Sequence, residues 1–190
     1  YPCWSTFTYP STGNGESTYK EISENKNALL KNGDPSGKYW VPAMADSPLR
    51  GYKGRHEWFW EPDDEQHIFP LNDLVDMYYK SVGRNSTLLL GLTPDNRGLM
   101  PEADRQRLIE FGTAIKQRFD NPIGTTAGNA KILEINLGKV TSINQFLIQE
   151  NIANGHCVKR FSIQVLTNGK WKTIINGSSI GNKYIQLLEN

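Results

Sequence analysis

"LVDMYYKSVGRNSTLLLGLTPDNRGLMPEADRQRLIEFG", residues 74–112, decides the fold class of the 190-residue chain. Together with the preceding Leu71, the apolar positions Leu74, Val75, Tyr78 and Val82 recur at helical spacing and predict a helix over 70–83. "STLLLGL" (86–92) is a short apolar run bounded by the turn residues "GRN" and "TPDNRG". Such a run suits a parallel strand buried on both faces. "PEADRQRLIEFGTAIKQRF" (101–119) is the clearest helix. Pro101 suits its first turn, and Glu102 and Asp104 complement its positive end. Leu108, Phe111, Ile115 and Phe119 form its expected buried stripe.

Upstream, "KYWVPAM" (38–44) reads as a strand with Tyr39, Val41 and Ala43 on one face. The order strand, loop, helix, strand, loop, helix signals a parallel α/β sheet. Segments 38–44 and 86–92 are therefore expected as parallel neighbours, with 70–83 as the crossover. "CWSTFTY" (3–9) and "YKEISENKNALLKNG" (19–33) add an expected strand and short helix before them.

The pattern changes near residue 125, after the linker-like "DNPIGTTAGNA" (120–130). "AKILEINLG" (130–138), "INQFLIQEN" (143–151), "CVKRFSIQVL" (157–166), "KWKTII" (170–175) and "NKYIQLL" (182–188) read as strands. Gly- and Asn-rich turns separate them, and "TNGK" (167–170) suits a tight hairpin. Five short strands at near-regular spacing predict an incomplete antiparallel β-sandwich, with Trp171 in its core. The whole is an α/β part, residues 1–124, followed by an all-β part, residues 125–190.

Composition removes several function classes. Twenty-one Lys and Arg against 20 Asp and Glu give a net charge of +1, so no charge field draws nucleic acid or anionic lipid. No run of eighteen apolar residues occurs, so no membrane span is expected. Cys3 and Cys157 are read as a free, buried pair rather than a disulfide framework. His56, His67 and His156 lack zinc-ligand spacing, and no metal is expected.

In parallel α/β folds, ligands bind at the carboxyl ends of the strands. Two connections fall there, Ala45 to Phe69 and "TPDNRGLM" (93–100). The first contains "RHEWFWEPDDE" (55–65), with one His, two Trp, one Phe and five carboxylates in eleven positions. An indole can stack on the apolar face of a pyranose, while carboxylates take its hydroxyls or perform acid–base work. Glycoside hydrolysis needs two such carboxyl groups, roughly 5–5.5 Å apart for retention and further for inversion. A plain structural alternative stays open, with Trp58 and Trp60 capping the rim and Asp63, Asp64 and Glu65 forming a solvated turn. Asp95 and Asn96 read as turn formers. Asn85 and Asn176 head glycosylation sequons, but Asn85 opens an apolar strand, where modification is not expected.

"YWVPAMADSPLRG", "GRHEWFWEPDDE" and the 74–112 stretch together closely resemble the α-L-fucosidases of glycoside hydrolase family 29. "VGRNSTLLL" followed by "DNRGLMP" is the most specific part, similar to the family's last barrel strand and its flanking helices. Residues 143–181 look like the first part of the family's C-terminal sandwich, a galactose-binding-like domain. The resemblance covers roughly residues 38–190 and implies the second half of a (β/α) barrel plus a truncated sandwich.

It implies an exo-acting, retaining hydrolase that removes terminal α-L-fucose from glycoconjugates without a cofactor. The nucleophilic Asp would lie on an earlier barrel strand, outside this chain, so the fragment alone is expected to be inactive and to need the missing half barrel as partner. One branch of the family carries its acid/base in a "PPECD"-type segment, where this chain has Met44, which cannot donate a proton. Another carries it in an Arg-x-Glu context, matched by Arg55-His56-Glu57. Glu57 is the implied acid/base, with Glu61 and Asp46 in reserve. His56, Trp58 and Trp60 are the implied substrate contacts. Arg55 depresses a neighbouring carboxyl's pKa whereas a general acid needs it raised, so indole burial and an ionised nucleophile must outweigh it. The resemblance also implies a secreted, periplasmic or lysosomal setting. The alternative, drawing on Met44, is a non-catalytic carbohydrate-binding or lectin-like protein.

Overall fold

The computed structural model describes residues 6–7, 34, 36–40, 42–54 and 58–188. The expected helix 19–33 lies outside them, as do Cys3 and Val41.

Among the described residues, eight strands and two α-helices occur in the order β1 (Thr6–Phe7), β2 (Tyr39–Trp40), β3 (Ala43–Pro48), α1 (Leu71–Lys80), β4 (Ser86–Gly91), α2 (Glu102–Phe119), β5 (Gln145–Ile148), β6 (Phe161–Thr167), β7 (Lys170–Gly177) and β8 (Tyr184–Leu187). β3 and β4 are hydrogen-bonded neighbours. The Ser86 hydroxyl donates to the Ala43 carbonyl at 3.1 Å, and Leu49 N–H donates to the Gly91 carbonyl at 2.8 Å. First lies beside first and last beside last, so the pair is parallel and α1 is its crossover.

The expected 38–44 strand is corrected. Tyr39–Trp40 pairs antiparallel with Thr6–Phe7, and the strand beside β4 is Ala43–Pro48. Pro42 stands between the two, and without an N–H it cannot sustain a continuous ladder. β4 also departs from burial on both faces. Its exposure alternates along the strand, and Leu89 is 47% exposed.

The chain divides into two compact units. The first comprises Tyr1–Ser47, Asp76–Leu90 and Phe146–Leu187. Here β6 and β7 form an antiparallel hairpin whose turn residues Asn168 and Gly169 both take positive φ, 51° and 72°. That is the backbone of the tight turn read from "TNGK". β5 and β8 pair, with Glu150 N–H donating to the Gly181 carbonyl at 2.9 Å. Tyr184 and Ile185 of β8 are buried, and Phe161 meets the Tyr184 ring edge-on at 5.1 Å. The turn before β4 docks on β8 through Ile185 N–H to the Gly83 carbonyl and Asn85 N–H to the Lys183 carbonyl, each 2.9 Å.

The second unit comprises Pro48–Val75, Gly91–Gln145 and Leu188–Asn190. Leu49, Ile68, Leu74, Val75 and Ala114 form its buried apolar centre. α2 turns Leu108, Phe111, Ile115 and Phe119 inward to partial burial, as their spacing predicts. The segment 130–138 is not a strand. Ile132, Leu133 and Ile135 are all exposed, so its apolar residues pair with no ladder among the described residues.

Two further expectations fail. Cys157 is exposed, and Trp171 is 55% exposed. Trp171 stands opposite Leu166 across the hairpin, and Leu166 is itself exposed, so this end of the face is uncovered. No helix of the described residues is long and apolar enough to cross a membrane.

Candidate active site at the strand carboxyl ends

The connection from β3 to α1 is pinned at both ends. Leu49 N–H bonds to the Gly91 carbonyl, the last residue of β4, and Phe69 N–H returns to the Leu49 carbonyl at 3.0 Å. Residues 50–68 therefore leave and re-enter the fold at one point, beside the carboxyl end of β4. Trp58 lies against that end. A Cβ placed on Gly91 would overlap the six-membered ring of its indole, so only glycine permits the approach. Trp58 remains 48% exposed, with one part seated and the rest presented to solvent. Trp60 is half-buried, Phe59 is exposed, and Glu61 is exposed.

The same connection contributes to a buried charged cluster. Arg50 Nη2 donates to Asp104 Oδ1 at 2.7 Å, and Nε lies 3.1 and 3.2 Å from the two oxygens of the same carboxylate. Arg50 Nη1 sits 3.9 Å from Asp64 Oδ2. Asp64 Oδ1 accepts from His67 Nδ1 at 2.5 Å, and His67 N–H donates to the Asp64 carbonyl. Relative exposures of 1% for Arg50, 2% for Asp64 and 0% for Asp104 place all three out of water.

Asp104 stands in the first turn of α2, as its expected role at the helix's positive end requires, and is also fully buried. Asp64 is buried too, not part of a solvated turn. Arg50, Asp64, Asp104 and His67 are functional candidates that sequence reasoning missed. Each looks like an ordinary surface residue until a contact across 54 residues brings Arg50 to Asp104.

Of the sequence-derived site residues, His56 and Glu57 lie outside the described residues, as does Arg55. Trp58 and Trp60 lie on the pinned connection. Asp46 and Met44 occupy the exposed face of β3, in alternation with half-buried Ala43, Ala45 and Ser47. Beyond β4, Asp95 is the turn former its context predicts. It accepts from Arg97 N–H at 2.8 Å and Leu99 N–H at 3.1 Å, and the Arg97 guanidinium bonds to its second oxygen. That guanidinium, with the two amides, holds the Asp95 carboxyl below the usual range. Asn85 is buried, its side chain held by Asn182 N–H at 2.6 Å and by His156 at 3.0 Å, which closes that sequon to modification. No group of three or more potential metal ligands occurs among the described residues.

No protein-family model matches the chain. A protein of Oryza sativa subsp. japonica, assigned as an alpha-L-fucosidase 1, is 31% identical over an alignment of 220 residues, covering 96% of this chain and 39% of that protein. A crystal structure of an assigned alpha-L-fucosidase from Bacteroides thetaiotaomicron VPI-5482 superposes with a TM-score of 0.90 at 53% identity, covering 100% of this chain and 42% of the other. A glycoside hydrolase 29 family member from an unknown rumen bacterium gives a TM-score of 0.74 at 29% identity, over 99% of this chain and 33% of that one. The chain spans about two fifths of the first two relatives. In sequence and backbone path the chain is similar over nearly its whole length to assigned α-L-fucosidases and to a member of glycoside hydrolase family 29.

Proposed function

We propose that the whole protein is an exo-acting α-L-fucosidase that releases terminal fucose with retention of configuration. The observation that carries this reading is the seating of Trp58 on Gly91, at the strand end where parallel α/β folds bind ligands, in a chain similar throughout to fucosidases. A half-exposed indole on a rigid strand end offers a stacking plane for a sugar ring. Glu57 immediately precedes it in sequence and is the proposed general acid and base. Glu61 and Asp46, both exposed, are better suited to binding hydroxyls. Residues 1–124 are proposed as the later part of a (β/α) barrel and 125–190 as part of a β-sandwich. The exposed face of β4 would pack inside a barrel completed by a further portion of the protein. A secreted, periplasmic or lysosomal setting fits a substrate of fucosylated glycans.

The deciding experiment is hydrolysis of an aryl α-L-fucoside and a natural fucosylated oligosaccharide by the full-length protein. Glu57→Gln is expected to slow the natural substrate by about 10²–10⁴-fold, and the aryl fucoside less, since its leaving group needs little protonation. Azide should restore turnover of the activated substrate. Normal rates for Glu57→Gln with loss in Glu61→Gln would transfer the role to Glu61.

A second reading is favoured by Met44, 62% exposed on β3 where one branch of the family carries its acid. Under it the protein binds fucosylated glycans without cleaving them. Binding without turnover by the full-length protein would select this reading.

A further inference from the structure

Within the first compact unit, a cleft of about 440 Å³ opens between Trp40 of β2 and the turn 152–156. Its volume falls in the roughly 300–1,000 Å³ range of small-molecule sites. Trp40 is mounted on a strand, opposite Thr6, and is 48% exposed. A Cβ on Gly155 would stand 4.0 Å from its Cδ1, so the indole reaches the turn at van der Waals range.

The turn is fixed before any ligand arrives. Glu150 Oε1 accepts from Cys157 N–H and Val158 N–H, each at 2.8 Å, and Oε2 accepts from Gly181 N–H at 2.7 Å. One carboxylate thus closes the loop at its base and ties it to the segment before β8. Inside the loop, Asn151 Oδ1 accepts from Ala153 N–H at 3.1 Å, and Gly155 N–H donates to the Ile152 carbonyl at 2.9 Å. Gly155 has φ of 85°, a conformation glycine takes at little cost. His156, at the end of the turn, is held by the Asn85 side chain at 3.0 Å.

The lining narrows the ligand. Lys38 is the one charged side chain among its described residues, since burial draws the His156 pKa down and leaves the imidazole neutral. Asn154 and His156 add neutral hydrogen-bonding groups beside the apolar indole. An anion would find a single ammonium and no guanidinium fork among the described lining residues. A purely apolar ligand would displace water from the polar wall without replacing its hydrogen bonds. A ring with one apolar face and a rim of hydroxyls satisfies both walls.

We propose that this cleft is a glycan-binding site that takes a neutral hexopyranose residue, stacked on Trp40 and hydrogen-bonded by Asn154 and His156. The assignment goes beyond the fucosidase reading, because it gives the first unit a hold on the glycan whichever part of the protein removes fucose. A glycan held at a second point stays at high local concentration, so the gain is one of avidity.

The test is native electrophoresis of the full-length protein through gels containing mucin glycoprotein stripped of sialic acid and fucose. Any site that needs terminal fucose is silent there. The parent is expected to be retarded, and to run freely once the remaining glycans are removed from the mucin. Trp40→Ala is expected to raise the dissociation constant by about 10-fold or more, and Asn154→Ala by about 2- to 10-fold. Both side chains are exposed, so each variant should melt close to the parent. Should Trp40→Ala not fold, Asn154→Ala carries the test. A parent that is not retarded, retardation that persists on the glycan-free mucin, or full retardation of the folded variants would overturn the proposal. Hydrolysis of an aryl α-L-fucoside by the parent is measured separately. Its absence would sink the catalytic reading, while the cleft still stands or falls on the gel result.

Discussion

Arg50 Nη2 lies 2.7 Å from Asp104 Oδ1, and neither side chain is more than 1% exposed. The pair joins the second residue beyond β3 to the first turn of α2, 54 positions later. Asp104→Ala leaves a buried guanidinium with its main partner gone, which should cost about 3–5 kcal/mol. Replacing both residues, as Arg50→Met with Asp104→Leu, should cost less than the single change, because no main-pair charge is stranded. Unfolding of the full-length protein in denaturant, compared among the three variants, checks this order.

Gly91→Ala should move Trp58. The new methyl group meets the indole, so either the ring or β4 must shift, at a cost of roughly 1–3 kcal/mol. If Trp58 walls the sugar site, KM for a fucoside rises more than kcat falls. A changed tryptophan emission with unchanged KM would mean the indole moved without touching substrate.

His156 should titrate below the ordinary imidazole range of about 6.5. Its partial burial disfavours the charged form and outweighs the attraction of Glu150. The sign follows from proton binding. Between the folded and unfolded values the unfolded chain holds more protons, so stability rises with pH. The contribution is complete above the unfolded value and is lost as pH falls through the folded one. An NMR titration of the imidazole signals, with His156→Gln to assign them, gives the folded value directly.

Asn85 has φ of 65°, a conformation asparagine tolerates better than most residues, and its side chain bonds to Asn182 N–H and His156. Asn85→Ala should lose both the bonds and the conformational tolerance, roughly 2 kcal/mol or more. Asn85→Gly should recover the backbone share only. Melting temperatures in the order parent, Gly, Ala check the partition.

Much of the architecture was written locally. The 3.6-residue recurrence from Leu71 to Val82 and from Leu108 to Phe119 placed both helices, because a helix face is set by spacing alone. "TNGK" placed the β6–β7 turn for the same kind of reason, since Asn and Gly accept positive φ cheaply. Tertiary structure decided what spacing cannot express. Pro42 split one expected strand into two short ones with different partners, and 130–138 joins no ladder among the described residues. The seat of Trp58 on Gly91 was invisible, because a glycine in a strand does not announce which ring it admits. Asp104 looked like a residue suited to a helix end, and only the approach of Arg50 from a distant strand end turned it into a fully buried carboxylate. Local periodicity is fixed by backbone geometry within a few residues. Charge pairing at the candidate site is fixed by which distant segments the fold brings to one point, and that is a property of the packed chain.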